Sequence, residues 1–142
     1  MNAPIIIDSS AFISLGTISD NNHKKATIIS DRIKEENRRV IMPGEIFTEV
    51  VNVAGKKINH QAALDQAHII LSSKAMHIEE TTLKIRQNAL SKFEQQPKSV
   101  SFTDCLVMAF ADEFVTREIF GFDETFHKNG YILFGIDKEE RL

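Results

Sequence analysis

Pro4-Ile5-Ile6-Ile7-Asp8-Ser9-Ser10 opens the chain with an uninterrupted apolar, β-branched run that ends on an acid and two hydroxyl residues. Three consecutive isoleucines leave no polar face, so the spacing predicts a short strand, Pro4 to Ile7, buried on both sides. Such strands belong to parallel sheets covered by helices, and the rest of the chain alternates accordingly. Helices are predicted near Ala11, over Asn21 to Asn37 with Ala26, Ile29 and Ile33 on one face, over Glu45 to Gly55 with Gly55 as the stop, and over His60 to Ser72. Two more are predicted over Thr81 to Gln95, ended before Pro97, and over Thr103 to Phe114, which is apolar enough to be buried nearly all round. Further strands are read at Val40 to Met42, Ala75 to Ile78, Ile119 to Phe122 and Ile132 to Phe134, with one helical turn at Glu124 to Lys128. The expectation is an α/β chain: a three-layer α/β/α sandwich around a central parallel sheet.

Composition bounds the rest. With 142 residues, one domain spanning 1–142 is expected. Hydrophobic residues make up 42% and charged residues 26%, which excludes a disordered or fibrous chain. Lys plus Arg is 17 against 20 Asp plus Glu, a formal charge of −3, so binding to nucleic acid through bulk positive field is not expected. Cys105 is the one cysteine, which removes any internal disulfide or cysteine-based metal site. The N-terminus has no basic opening and the first apolar run stops at Asp8, so neither an export signal nor a membrane span is expected, and a cytoplasmic location fits. Charge is mildly uneven. Lys24 to Lys57 holds eight bases and five acids, while Asp104 to Leu142 holds nine acids and four bases.

Four acids stand where strands end or helices meet the core. Asp8 follows the first strand, where the carboxyl ends of a parallel sheet open into a ligand crevice; the bland alternative is a cap for the next helix. Asp123 follows Ile119-Phe120-Gly121-Phe122 and could equally cap Glu124 to Lys128. Asp104 opens the most apolar helix, where Ser101-Phe102-Thr103-Asp104 also has capping-box spacing. Glu49, at 100° per residue, falls on the edge of the arc formed by Ile46, Phe47, Val50 and Ala54, and Glu45 lies further toward solvent; Glu49 could reach inward or snorkel out.

Crowded carboxylates repel: two at about 4 Å cost roughly 4 kcal/mol at an effective dielectric of 20. A fold keeps such a group if the acids hold protons or a cation neutralises them. Hard oxygen ligands select Mg²⁺ or Mn²⁺, and the five histidines show no close His-x-x-His or His-x-x-x-His pair for zinc. A carboxylate-held Mg²⁺ suits hydrolysis of a phosphodiester by activated water. Glycoside hydrolysis is disfavoured by the absence of tryptophan and a single tyrosine. No Gly-rich phosphate loop or Gly-x-Ser-x-Gly elbow is present.

Asp8-x-Ser10 after a strand, Pro43-x-x-Ile46-x-x-Glu49, Ser101-x-x-Asp104 opening an apolar helix and Phe122-Asp123 after a strand together resemble the PIN-domain nucleases. The resemblance spans nearly the whole chain. It implies a compact α/β/α domain that cleaves mainly single-stranded RNA, with Mg²⁺ or Mn²⁺ held by Asp8, Glu49, Asp104 and Asp123 and with Ser10 supporting Asp8. Small members are often VapC-type toxins, usually homodimeric and neutralised by a cognate antitoxin; others process RNA without being toxins. Gly121 departs from the family's usual Thr or Ser two residues before the last acid. Basic residues between Lys24 and Lys57 are candidates for contacts to the RNA backbone. Two other readings stay open: a catalytically silent module that keeps the pocket and docks partners, and a phosphatase with Asp8 as nucleophile, which would commonly want an acid where Ser10 stands.

Overall fold

The structure, a computed structural model, describes residues 2–137. Its five strands are β1 (Ile5–Ile7), β2 (Val40–Pro43), β3 (Met76–Glu79), β4 (Glu118–Phe120) and β5 (Ile132–Leu133). They form one sheet in the order β3-β2-β1-β4-β5, with every pairing parallel. The described helices are α1 (Ser9–Gly16), α2 (His23–Glu35), α3 (Gly44–Lys57), α4 (His60–Ser72), α5 (Leu83–Glu94), α6 (Phe102–Glu113) and α7 (Glu124–Lys128).

The strand order steps outward from β1 to β3, then returns across the sheet to β4 and β5. Right-handed crossovers therefore put the helices of the two halves on opposite faces. Consistent with this, α1 packs on α2 and α3, and α3 on α4, while α6 packs on α5 and α7. This is the α/β/α sandwich expected from the sequence. Ile5, Ile6 and Ile7 are at most 1% exposed, and Cys105 to Ala111 of α6 are buried without a break. Among the described residues no helix is long and apolar enough to cross a membrane.

The differences from the sequence reading have local causes. β3 runs Met76–Glu79 rather than Ala75 to Ile78, and its alternate residues are exposed because it is an edge strand paired only with β2. α2 spans less than Asn21 to Asn37, because Asn37 adopts a left-handed φ of 52° that ends the helical run. Gly55 does not stop α3, which continues to Lys57. A Cβ on Gly55 would meet only Ala63, at an ordinary contact distance of 3.6 Å, where α3 packs on α4. Thr82, expected inside a helix, is instead the N-cap of α5 and accepts from the Ile85 N–H at 3.2 Å. β4 ends at Phe120, two residues earlier than expected, so Gly121 and Phe122 form the turn into Asp123.

Candidate functional site

β1 and β4 are neighbours in the sheet, yet the chain leaves them in opposite directions. The crevice at their carboxyl ends is the topological switch point of the fold, where ligands of open α/β sheets bind. Asp8 lies there. Its N–H donates to the Phe120 carbonyl at 2.9 Å, which extends the β1–β4 pairing by one residue. It stands at the N-cap position of α1, but the residue is 6% exposed and its side chain makes no capping bond there, so its carboxylate is not spent on the cap.

Ser10 fixes this carboxylate. Its hydroxyl donates to Asp8 Oδ2 at 2.9 Å and accepts from the Phe122 N–H at 3.3 Å, tying α1 to the turn after β4. Gly121 lies under the same carboxylate: a Cβ there would stand 3.1 Å from Asp8 Cβ and 3.5 Å from Phe126. A hydroxyl residue at position 121 would crowd Asp8, so Ser10 carries the supporting role alone at this turn.

Burial pushes the Asp8 carboxyl up to about 6, against an ordinary 3.8. The Ser10 hydroxyl and the Ser9 N–H pull it down, while the negative charges of Asp104 and Glu49 push it further up. Those two acids therefore act on the same end of the sheet. Asp104 is half-buried at the start of α6 and completes a capping box: Ser101 N–H donates to Asp104 Oδ2 at 3.1 Å and Asp104 N–H to Ser101 Oγ at 3.1 Å. Capping uses one carboxylate oxygen and leaves the other for a ligand. The Asp104 charge, second to burial itself, also raises the thiol of Cys105. Glu49 is exposed, beyond the buried line of Ile46, Val50 and Ala54, as its place at the edge of that arc implies.

Asp123 is exposed and committed to a cap, with Oδ1 accepting from Thr125 N–H at 2.9 Å. Among the described residues, no three His, Cys, Asp or Glu side chains stand close enough, as placed, to hold one ion. The single nest of four carboxylates expected from the sequence is therefore not closed. Asp8, Asp104 and Glu49 share an electrostatic neighbourhood, and Asp123 is turned to its helix. Among the described residues none of the four forms an ion pair, so no protein cation answers the charge around Asp8.

The sequence reading passed over one cluster nearby. Glu45, one turn before Glu49 on α3, accepts from Thr81 Oγ at 2.5 Å and pairs with Arg86 Nη2 at 3.0 Å. The i, i+4 spacing of Glu45 and Glu49 was the available signal, but the partners come from the far side of β3 and leave no local trace.

A family model for the PIN domain matches residues 5–130. A comparison with curated proteins finds no match. Among solved structures, this chain is similar to that of Mycobacterium tuberculosis VapC20, described as a sarcin-ricin loop cleaving toxin, with a TM-score of 0.78 at 21% identity over 91% of this chain and 97% of that one. Since the family model covers most of the sequence, including Asp8, Glu49, Asp104 and Asp123, this chain belongs to the PIN domain family.

Proposed function

We propose that this protein is a divalent-metal-dependent endoribonuclease acting on single-stranded RNA, and that it is the toxin of a toxin–antitoxin pair. One observation carries the reading: a nine-tenths-buried acid, Asp8, at the switch point of the sheet, flanked by two further carboxylates with no cation among them. The donor set fits Mg²⁺ or Mn²⁺, since every candidate ligand is a hard carboxylate oxygen. Asp8, Asp104 and Glu49 would hold the ion, with Asp123 joining when its side chain leaves the Thr125 N–H. A bound ion supplies charge neutralisation at the phosphodiester and an activated water for in-line attack.

The chain's own contribution is placement. Ser10 fixes the rotamer of Asp8 from one side and the turn after β4 from the other. The capping box fixes Asp104 on the first turn of a buried helix, a more rigid support than a loop. Glu49 is exposed, and its charge acts on Asp8. Membership of the family and the likeness to a toxin that cleaves the sarcin-ricin loop support RNA as the substrate and toxicity as the role. A cognate antitoxin and a homodimer are the partners proposed on the same ground.

Asp104→Asn preserves the cap, because an amide oxygen still accepts from Ser101 N–H, but removes the charge. Cleavage of a single-stranded RNA with Mg²⁺ or Mn²⁺ is expected to fall by at least about a hundredfold and to vanish for the wild type in EDTA. Millimolar Mn²⁺ should raise the melting temperature of the wild type, because a ligand bound to the folded state alone stabilises it. Activity that survives Asp104→Asn or EDTA overturns the mechanism. The open arrangement of the acids favours one competing reading, a non-cleaving RNA-binding module. That reading requires no cleavage and no Mn²⁺ shift in the same two measurements. The toxin role is tested by induced expression, which should arrest growth in the wild type and not in Asp104→Asn.

A further inference from the structure

Several cations expected to meet an RNA backbone stand away from the acids. Arg38 is buried against Glu118. Arg39 precedes β2, at the end of the sheet opposite Asp8. Lys56 and Lys57 form the last turn of α3, about two turns beyond Glu49. The rim nearest Glu49 is otherwise acidic: Glu45 lies one turn before it, and the Glu80 carboxylate lies against Gly44, 2.9 Å from where a Cβ would be. A polyanionic strand entering there meets repulsion unless a cation receives it.

We infer that Arg86, held in place by Glu45, is the positioning residue that receives a phosphate of the RNA strand on the α3 side of the site. The inference deepens the nuclease reading above and rests on it. Glu45 is fixed through both oxygens, Oε1 by Thr81 and Oε2 by Arg86 Nη2. Arg86 belongs to the second turn of α5, whose start is fixed by the Thr82 cap. Its side chain is 52% exposed, and Glu45 is its one partner among the described residues. A guanidinium presents five N–H donors in a planar fork, and Glu45 engages only Nη2. The remaining donors are preorganised for a phosphate, at a point where residues i and i+4 of α3 place Glu45 and Glu49 about 5–6 Å apart.

Two measurements on the full chain test this. In cleavage of a single-stranded RNA, Arg86→Ala should raise KM about tenfold, with the loss falling on KM rather than kcat. The slope of log KM against log salt should drop by about 0.7, the value for one phosphate contact on a single strand. Arg86→Lys should restore part of the affinity as a point charge, and Glu45→Gln should give an intermediate KM. Lys84→Ala, an exposed lysine on the same helix paired with Glu113, is the control that leaves KM and salt slope at wild-type values. An Arg86→Ala enzyme with unchanged KM and salt slope overturns the inference, as does one that loses kcat alone. The second measurement is the anisotropy of a fluorescein-labelled RNA 12-mer in EDTA. If the wild type binds but never cleaves, the nuclease reading fails while weaker binding by Arg86→Ala supports this inference. If the wild type and Arg86→Ala bind the 12-mer equally, or neither binds, the inference is overturned.

Discussion

Asp8→Asn should abolish RNA cleavage and at the same time make the metal-free protein more stable, by up to about 3 kcal/mol at pH 7.5. Burial and the Asp104 and Glu49 charges lift the Asp8 carboxyl from 3.8 to about 6. The folded state therefore binds this proton more tightly than the unfolded chain does, and stability falls as pH rises. Below pH 3.8 both states hold the proton and no penalty exists. Between there and about 6 the unfolded chain ionises first, and the penalty grows. Above 6 it is complete, about 3 kcal/mol at 1.36 kcal/mol per pH unit. Asparagine keeps the shape and an oxygen for the Ser10 hydroxyl but cannot ionise. Wild type and variant should thus unfold at similar urea concentrations near pH 4 and diverge by pH 7.5, with the variant ahead. Mn²⁺ should close that gap by stabilising the wild type alone. A wild type as stable as Asp8→Asn at pH 7.5 without metal would mean that Asp8 carries no buried charge. Retained cleavage by the variant would remove it from the chemistry.

The sequence displays such an acid only through its neighbours. Ile5-Ile6-Ile7 has no polar face, so a doubly covered strand was legible, and with it the position of Asp8 at a carboxyl end. Asp104 was legible for the same reason: an unbroken apolar run from Cys105 to Ala111 forces its helix into the core and its first turn to the sheet end. Asp123 was less so, because a cap and a ligand have the same local pattern, and here the cap holds the side chain. Gly121 reads in sequence as a missing hydroxyl. Only the fold shows that Asp8 occupies the space its side chain would need. Gly55 misled because a glycine inside a helix costs only about 1 kcal/mol, too little to end α3, which runs on to Lys57. Long-range pairs left no trace at all: Glu45 with Arg86, and Arg38 with Glu118, join residues whose separation along the chain carries no periodic signal. Arg38 in particular reads as one more surface base in a basic stretch.

That arginine carries the largest single stability effect expected outside the site. Arg38 stands two residues before β2, and its side chain is 6% exposed at the amino ends of the strands, opposite Asp8. Nη2 pairs with Glu118 Oε1 at 2.8 Å and Nη1 donates to Oε2 at 3.4 Å, a two-pronged hold on the first residue of β4. Nε and Nη2 both donate to the Ala3 carbonyl just before β1, at 3.1 and 2.5 Å. The guanidinium also lies over the Phe134 ring at 5.6 Å, beyond β5. One side chain therefore fastens the starts of the three central strands. Arg38→Ala should cost about 3–5 kcal/mol, since it leaves Glu118 largely buried without its partner and the Ala3 carbonyl without a donor. Against the 5–15 kcal/mol of an ordinary domain, that is about a third or more of the total stability for a domain near the middle of the range. Arg38→Met combined with Glu118→Leu removes both charges and should recover the part of the loss that comes from the stranded Glu118, because an apolar pair of similar volume pays no desolvation, while the Ala3 carbonyl stays without its donor. The urea midpoint of the three proteins decides it: a single variant within about 1 kcal/mol of wild type, or a double variant no better than the single, would mean that the pair does not clamp the sheet. The clasp and the acid crevice lie at opposite ends of the same strands, which separates their expected signatures. Loss of Arg38 should lower stability with no change in metal response per folded molecule, whereas loss of Asp8 should raise stability and erase that response.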